Sequence, residues 1–160
     1  MAKDITQLVP DIKSRLKDFK KRVESVRELH AIGIVLVRRI RTRTLLGYGV
    51  EQTGASRSPL DPLSPNYKKW RSKNRKDLGS KARPNKSNLT LTGEMLKSLY
   101  AQGTQGRITI AARGVTNQKK ITWNETPYGN KPARVFLNLS DNDLKVIEEH
   151  FYRILRDTLL

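Results

Sequence analysis

Cysteine is absent from the 160 residues, and histidine occurs only twice. Without a thiol there is no disulfide, no thiolate zinc site and no cysteine nucleophile. His30 and His150 stand far apart in the chain with no paired carboxylates beside them, too few ligands for a metal centre. Long apolar runs are also missing. The longest, Ala31–Val37, falls well short of the roughly 20 residues a membrane span needs. Met1-Ala2-Lys3-Asp4-Ile5 turns polar before an apolar leader builds up. The expectation is a protein made in the cytoplasm that does not enter a membrane. No Gly-rich phosphate-binding motif of standard spacing occurs. The acidic pairs Asp141/Asp143 and Glu148/Glu149 fall at the start and on the face of one C-terminal helix, where dipole complementation and solvation account for them. The basic middle of the chain holds only Glu51, Asp61 and Asp77, too scattered for a metal-dependent nuclease. These gaps point away from an enzyme and from any cofactor.

What the chain has in excess is positive charge. Lys plus Arg number 32 against 15 Asp plus Glu, a formal net charge of +17. Residues 1–45 carry 12 basic and 5 acidic side chains, residues 46–100 carry 11 and 4, and residues 101–160 carry 9 and 6. The field therefore belongs mostly to the N-terminal two thirds. It attracts polyanions of any kind: nucleic acid, anionic lipid or an acidic protein surface.

Length suits a single domain over 1–160 with a core of its own. Ile12, Leu16, Phe19, Val23, Val26 and His30 recur at spacings of three and four, and Gly33, Val37 and Ile40 continue the series. The spacing predicts helix over 5–45, with room for one break. Residues 31–37 are apolar on nearly all sides and read as buried on several. Arg38, Arg39, Arg41 and Arg43 then form a candidate contact face toward solvent or a partner, and Leu46-Gly47-Tyr48-Gly49 stops the helix. Residues 47–88, rich in Gly and Pro, read as an extended basic loop. One short helix interrupts it, capped by Ser64, with Pro65 first and Tyr67 and Trp70 on one side. Thr92 and Gly93 read as the cap of a further short helix bearing Met95, Leu96 and Leu99. Arg107–Ala111, Ile121–Trp123 and Arg134–Leu137 read as strands of a small antiparallel sheet. Ser140 and Asp143 open a C-terminal helix in near-capping-box spacing. The fold class predicted is α+β: long N-terminal helix, long basic loop, short helix, small antiparallel sheet, C-terminal helix.

The strongest candidate contact is in the loop. Lys68, Lys69, Arg71, Lys73, Arg75, Lys76, Lys81, Arg83 and Lys86 crowd together, with Tyr67 and Trp70 interleaved. Cations bind phosphates without reading sequence, and aromatics beside them stack on bases. Net charge alone leaves phosphate contact, contact with an acidic neighbouring protein and simple solvation all open. Nothing resembles a groove-reading motif.

Three segments in order resemble the head–tail joining and tail completion proteins of long-tailed phages, the virion morphogenesis group. The first is Arg39–Val50 followed by Leu60–Arg71. It is similar to the family's helix, Gly turn and segment of proline, leucine, serine, two residues, tyrosine and a basic residue. The second is Ser87–Leu96, which resembles a leucine–threonine–glycine helix start. The third is Lys131–Asp141, similar to a proline–alanine–arginine–x–phenylalanine–leucine strand leading into the last helix. Together they cover roughly residues 29–160. Many relatives carry a Tyr-Ala…His…Phe-Gly segment before the third motif; here Trp123–Gly129 stands there, with no His.

The resemblance implies a structural virion protein of the neck or tail. Identical subunits would form a ring, a hexamer in the family, around the DNA channel, between head-connector and tail proteins, with DNA in the channel as a possible nonspecific contact. Thr92, Gly93, Pro132, Arg134 and Phe136 would be structural motif residues, Arg134 by pairing with a carboxylate. The alternative is a nonspecific nucleic-acid-binding protein, and a metal-dependent nuclease ranks below both.

Overall fold

The computed structural model describes residues 5–50, 57–74, 89, 93–127 and 133–159. The fold is α+β. The N-terminal stripe forms two helices, α1 (Ile5–Val23) and α2 (Val26–Leu45). The break has a local cause. Ser25 is extended, and its hydroxyl accepts the Glu28 N–H at 3.2 Å, capping a new helix with Glu28 in the first turn. At the far end Gly47 takes φ 89° and its N–H donates to the Thr44 carbonyl at 2.9 Å, the left-handed stop that the glycine predicts.

Two described parts of the region read as an extended basic loop, 47–50 and 57–74, contain regular structure. Tyr48–Val50 (β1) pairs antiparallel with Arg57–Pro59 (β2), and Pro65–Lys73 forms helix α3. Then come α4 (Glu94–Ser98), β3 (Leu99–Thr104), β4 (Arg107–Ala112), α5 (Val115–Glu125) and α6 (Asp141–Leu159). β3 and β4 make a second two-stranded antiparallel sheet in register Leu99↔Ala112 through Thr104↔Arg107. Gln105-Gly106 joins them, with Gly106 at φ 70°, as a tight hairpin requires.

α2 is the central helix. Leu29, Ile32, Leu36, Val37 and Ile40 are buried. Val37 and Ile40 join Met95, Leu96, Leu99, Ala101, Ala112, Ile121 and Phe136 in one core cluster. β3 lies on α2 at a distance only small residues permit. A Cβ on Gly103 would stand 2.6 Å from the His30 backbone nitrogen and 2.8 Å from the Val26 carbonyl oxygen. Helix backbone does not yield as a flexible side chain does. Gly103→Ala is therefore expected to cost about 1–3 kcal/mol, as overpacking does, read as a lowered urea midpoint; an unchanged midpoint would show that β3 can move off α2. β3 covers one side of α2, so the burial on several sides expected for 31–37 is met only in part: Ile32, Leu36 and Val37 are buried, while Ile34 and Val35 are 51% and 42% exposed.

Two expected strands are corrected. Ile121–Trp123 lies inside α5, with Ile121 buried and Trp123 73% exposed, a one-sided pattern that a helix satisfies. Arg134–Leu137 joins no ladder among the described residues. Its backbone groups are met one by one instead. Arg134 N–H donates to the Asn124 carbonyl at 2.6 Å, and Val50 N–H donates to the Val135 carbonyl at 3.0 Å. The Glu125 carboxylate accepts the N–H groups of Phe136 (3.3 Å) and Leu137 (2.9 Å). A side chain thus takes two donors that a neighbouring strand would otherwise take. Leu99, expected on a helix face, begins β3.

α6 returns along α1 and α2. His150 Nε2 lies 2.9 Å from Glu28 Oε2, and Arg15 donates to the Leu159 carbonyl at 2.7 Å. Among the described residues no helix is long and apolar enough to cross a membrane.

Candidate polyanion interface

The interface is built outward from two buried leucines. Leu60 and Leu63 are each 8% exposed, and Leu60 N–H donates to the Gly47 carbonyl at 2.8 Å, which ties the segment to the end of α2. Arg134 Nε donates to the Asp61 carbonyl at 3.4 Å. Ser64 then caps α3, its hydroxyl accepting Tyr67 N–H at 3.3 Å, and Pro65 takes the first helical position as the sequence predicts. Asn74 closes the helix: its side-chain amide and backbone N–H both donate to the Trp70 carbonyl, at 2.7 and 3.0 Å.

α3 has nine residues, no acidic one, and a single buried side chain, Arg71. The Tyr67 and Trp70 rings stack, centroids 5.6 Å apart and planes 11° from parallel. The Arg71 guanidinium lies 5.9 Å from the Tyr67 centroid, within cation–π range. Burial pushes the Arg71 guanidinium below its ordinary value, and Tyr67 partly offsets this. Lys68 is half-buried, while Lys69, Trp70 and Lys73 are exposed. Of the candidate loop residues, the structure therefore brings Lys68, Lys69, Trp70, Arg71 and Lys73 together on one helix. Arg75, Lys76, Lys81, Arg83 and Lys86 lie outside the described residues, as do Thr92 and Pro132.

The candidate face on α2 has another role. Arg38 is exposed, but the other three arginines turn inward. Arg39 Nε donates to Asp143 Oδ1 at 2.7 Å and Arg43 Nη1 to Asp143 Oδ2 at 2.5 Å. Arg43 Nη2 also donates to the carbonyls of Phe136 (2.9 Å) and Asn138 (2.7 Å). Arg41 donates to the carbonyls of Leu96 and Lys97, each at 2.8 Å, and of Leu99. The reason is local: these arginines follow the core positions Leu36, Val37 and Ile40 and meet the carbonyl-rich ends of α4 and the 136–138 segment. Asp143 also accepts the Ser140 N–H and hydroxyl, at 2.9 and 2.7 Å, so the expected Ser140–Asp143 cap is present but serves a buried ion cluster as well. The spacing of Arg39 and Arg43, four apart along a core helix, was the sequence signal for that cluster.

Gly93, at φ 79°, occupies the cap position of α4 with no side-chain cap. Arg134 binds the Asp61 backbone carbonyl rather than the expected carboxylate, and Phe136 is fully buried. Among the described residues no group of three His, Cys, Asp or Glu side chains is placed to hold a metal ion. Comparison with protein-family models, with curated proteins and with solved structures found no match.

Proposed function

We propose that this chain is a non-catalytic structural subunit of a tailed-phage particle: a tail completion or head–tail joining protein, acting as a homo-oligomeric ring around the DNA channel between head connector and tail. The observation that supports this reading best is the meeting of the three resembling segments. Arg41, in the first, holds the carbonyls of Leu96 in the second. Arg43 holds the carbonyls of Phe136 and Asn138 in the third, and Val50 N–H reaches Val135 there too. Among the described residues these motifs knit the body. The described surface offers for contact a basic α3, exposed Arg38, and apolar Ile34 and Val35 on the outer side of α2. Copies carrying +17 repel one another. A ring of them needs head-to-tail contacts of two unlike patches and an anion nearby.

The expected result is closed rings of identical subunits in negative-stain images, with a matching mass by sedimentation. A chain that stays monomeric up to its solubility limit would overturn the reading. So would one that degrades DNA with magnesium or manganese, with a single carboxylate substitution abolishing the activity. A second reading, a free-standing nonspecific nucleic-acid-binding protein, is favoured by the basic, acid-free sequence of α3. It predicts monomers or dimers that bind random duplex with affinity falling steeply as salt rises.

A further inference from the structure

We infer that α3 is a binding site for single-stranded nucleic acid, with Trp70 as the platform for one unstacked base and Lys69 and Lys73 as the contacts to its flanking phosphates. The inference goes beyond the structural reading above and stands whether or not the subunit forms a ring. Four observations carry it.

Aromatic residues are scarce here, two Trp, five Tyr and three Phe in the whole chain, yet two of them sit exposed on one nine-residue helix. Tyr67 is 37% and Trp70 45% exposed, an apolar cost that core packing does not explain. The pair is also preorganised. Arg71 is 2% exposed, its guanidinium lies over Tyr67, and Tyr67 stacks on Trp70. A platform fixed before binding loses little side-chain entropy when a base lands on it.

Lys69 and Lys73 stand one helical turn apart and both are exposed. Like charges at that spacing destabilise a helix by about 0.2–0.5 kcal/mol, and α3 contains no acidic side chain to relieve them. A phosphate between the two removes the repulsion. At 100° per residue the lysine pair lies on the flank of the helix next to Trp70, so ring and cations serve one strand. An acidic peptide would satisfy the lysines but leave the ring without a partner. A duplex has its bases already stacked and offers the ring none. A single strand satisfies both.

The test uses the full chain with Trp123→Phe, which leaves Trp70 as the sole tryptophan; Trp123 is 73% exposed, so the fold should not change. Titration with a thymidine oligonucleotide at low salt is expected to quench Trp70 fluorescence. An abasic strand of equal length should bind more weakly and quench little. Trp70→Ala, made with Trp123 intact and followed by anisotropy of a labelled strand, should weaken binding on the order of tenfold or more. Trp70→Phe should restore most of the loss. Lys69→Gln with Lys73→Gln should flatten the salt dependence. Equal affinity for the abasic and thymidine strands would overturn the inference in favour of phosphate contact alone. Tighter binding to polyglutamate than to the oligonucleotide would overturn it in favour of an acidic protein. Equal binding of duplex and single strand, or no binding, would overturn it too. None of these results bears on the images of rings, so the two readings fail separately.

Discussion

Replacing Arg43 with methionine is expected to lower folding stability by about 3–5 kcal/mol, the usual consequence of stranding one member of a buried ion pair. Urea unfolding at unchanged m-value would measure it. The Arg43 side chain is 7% exposed and that of Asp143 2%. Methionine refills much of the volume but takes the Arg43 donor from the carbonyls of Phe136 and Asn138, and it leaves Asp143 Oδ2, still reached by the Ser140 N–H and hydroxyl, without its buried cationic partner. Arg39 retains the other carboxylate oxygen at 2.7 Å, but its side chain is 38% exposed and the pair is screened by solvent. Arg39→Met should therefore cost about 1 kcal/mol or less. Equal costs for the two substitutions would mean that burial of Arg43 does not set its weight in the cluster.

The same cluster sets an acid limit. Burial alone raises the Asp143 carboxyl. The Ser140 backbone N–H, the Arg39 guanidinium, the Ser140 hydroxyl and the Arg43 charge outweigh that effect and hold it below its ordinary value. A depressed folded-state value means that the unfolded chain binds the proton more readily. The contribution is therefore fully present above the unfolded value, about pH 4 for aspartate, and is lost as pH falls through the folded one. Asp143→Asn should lose stability at neutral pH and show a shallower acid-side slope than the parent protein.

Local signals made much of this fold legible. Ser64-Pro65 and Gly47 act through their own backbone geometry, and Ser140 with Asp143 needs only three residues of spacing. The periodic stripes of α1 and α6 likewise report a helix without reference to the rest of the chain. What the sequence concealed depends on partners distant in the chain. β3 contains Ala101 and Gly103, poor strand formers; they are there because the strand must approach the α2 backbone, and that need is invisible until the two are packed. Ile121-Thr122-Trp123 is β-branched and aromatic, yet a helix buries Ile121 and exposes Trp123, and short apolar runs do not separate the two cases. Arg39 and Arg43 read as a surface face because their acceptor is Asp143, on the last helix. On α3 the aromatic spacing was readable from the start. The burial of Arg71 beneath the pair was not, because it needs the body under the helix.

Phe136→Ala should be as damaging as the loss of Arg43, about 3–5 kcal/mol, for a reason of packing instead of charge. The ring is 0% exposed. It shares a cluster with Val37 and Ile40 of α2, Met95 and Leu96 of α4, Leu99 of β3, Ala112 of β4 and Ile121 of α5. The cluster draws on five elements, so the cavity left by alanine is expected to close only in part. Nor can the 136 segment move inward. Its N–H is held by Glu125 and its carbonyl by Arg43, at 3.3 and 2.9 Å. A site that cannot collapse loses the transfer energy and also the contacts across the void. Phe136→Leu, which refills most of the volume, should recover more than half of the loss. Trp123→Ala supplies the contrast: at 73% exposure it should shift stability by no more than about 0.5 kcal/mol. Should Phe136→Ala prove as mild as Trp123→Ala, the third motif would not be the keystone of this core. Its aromatic residue would then have to be explained by a contact outside the chain.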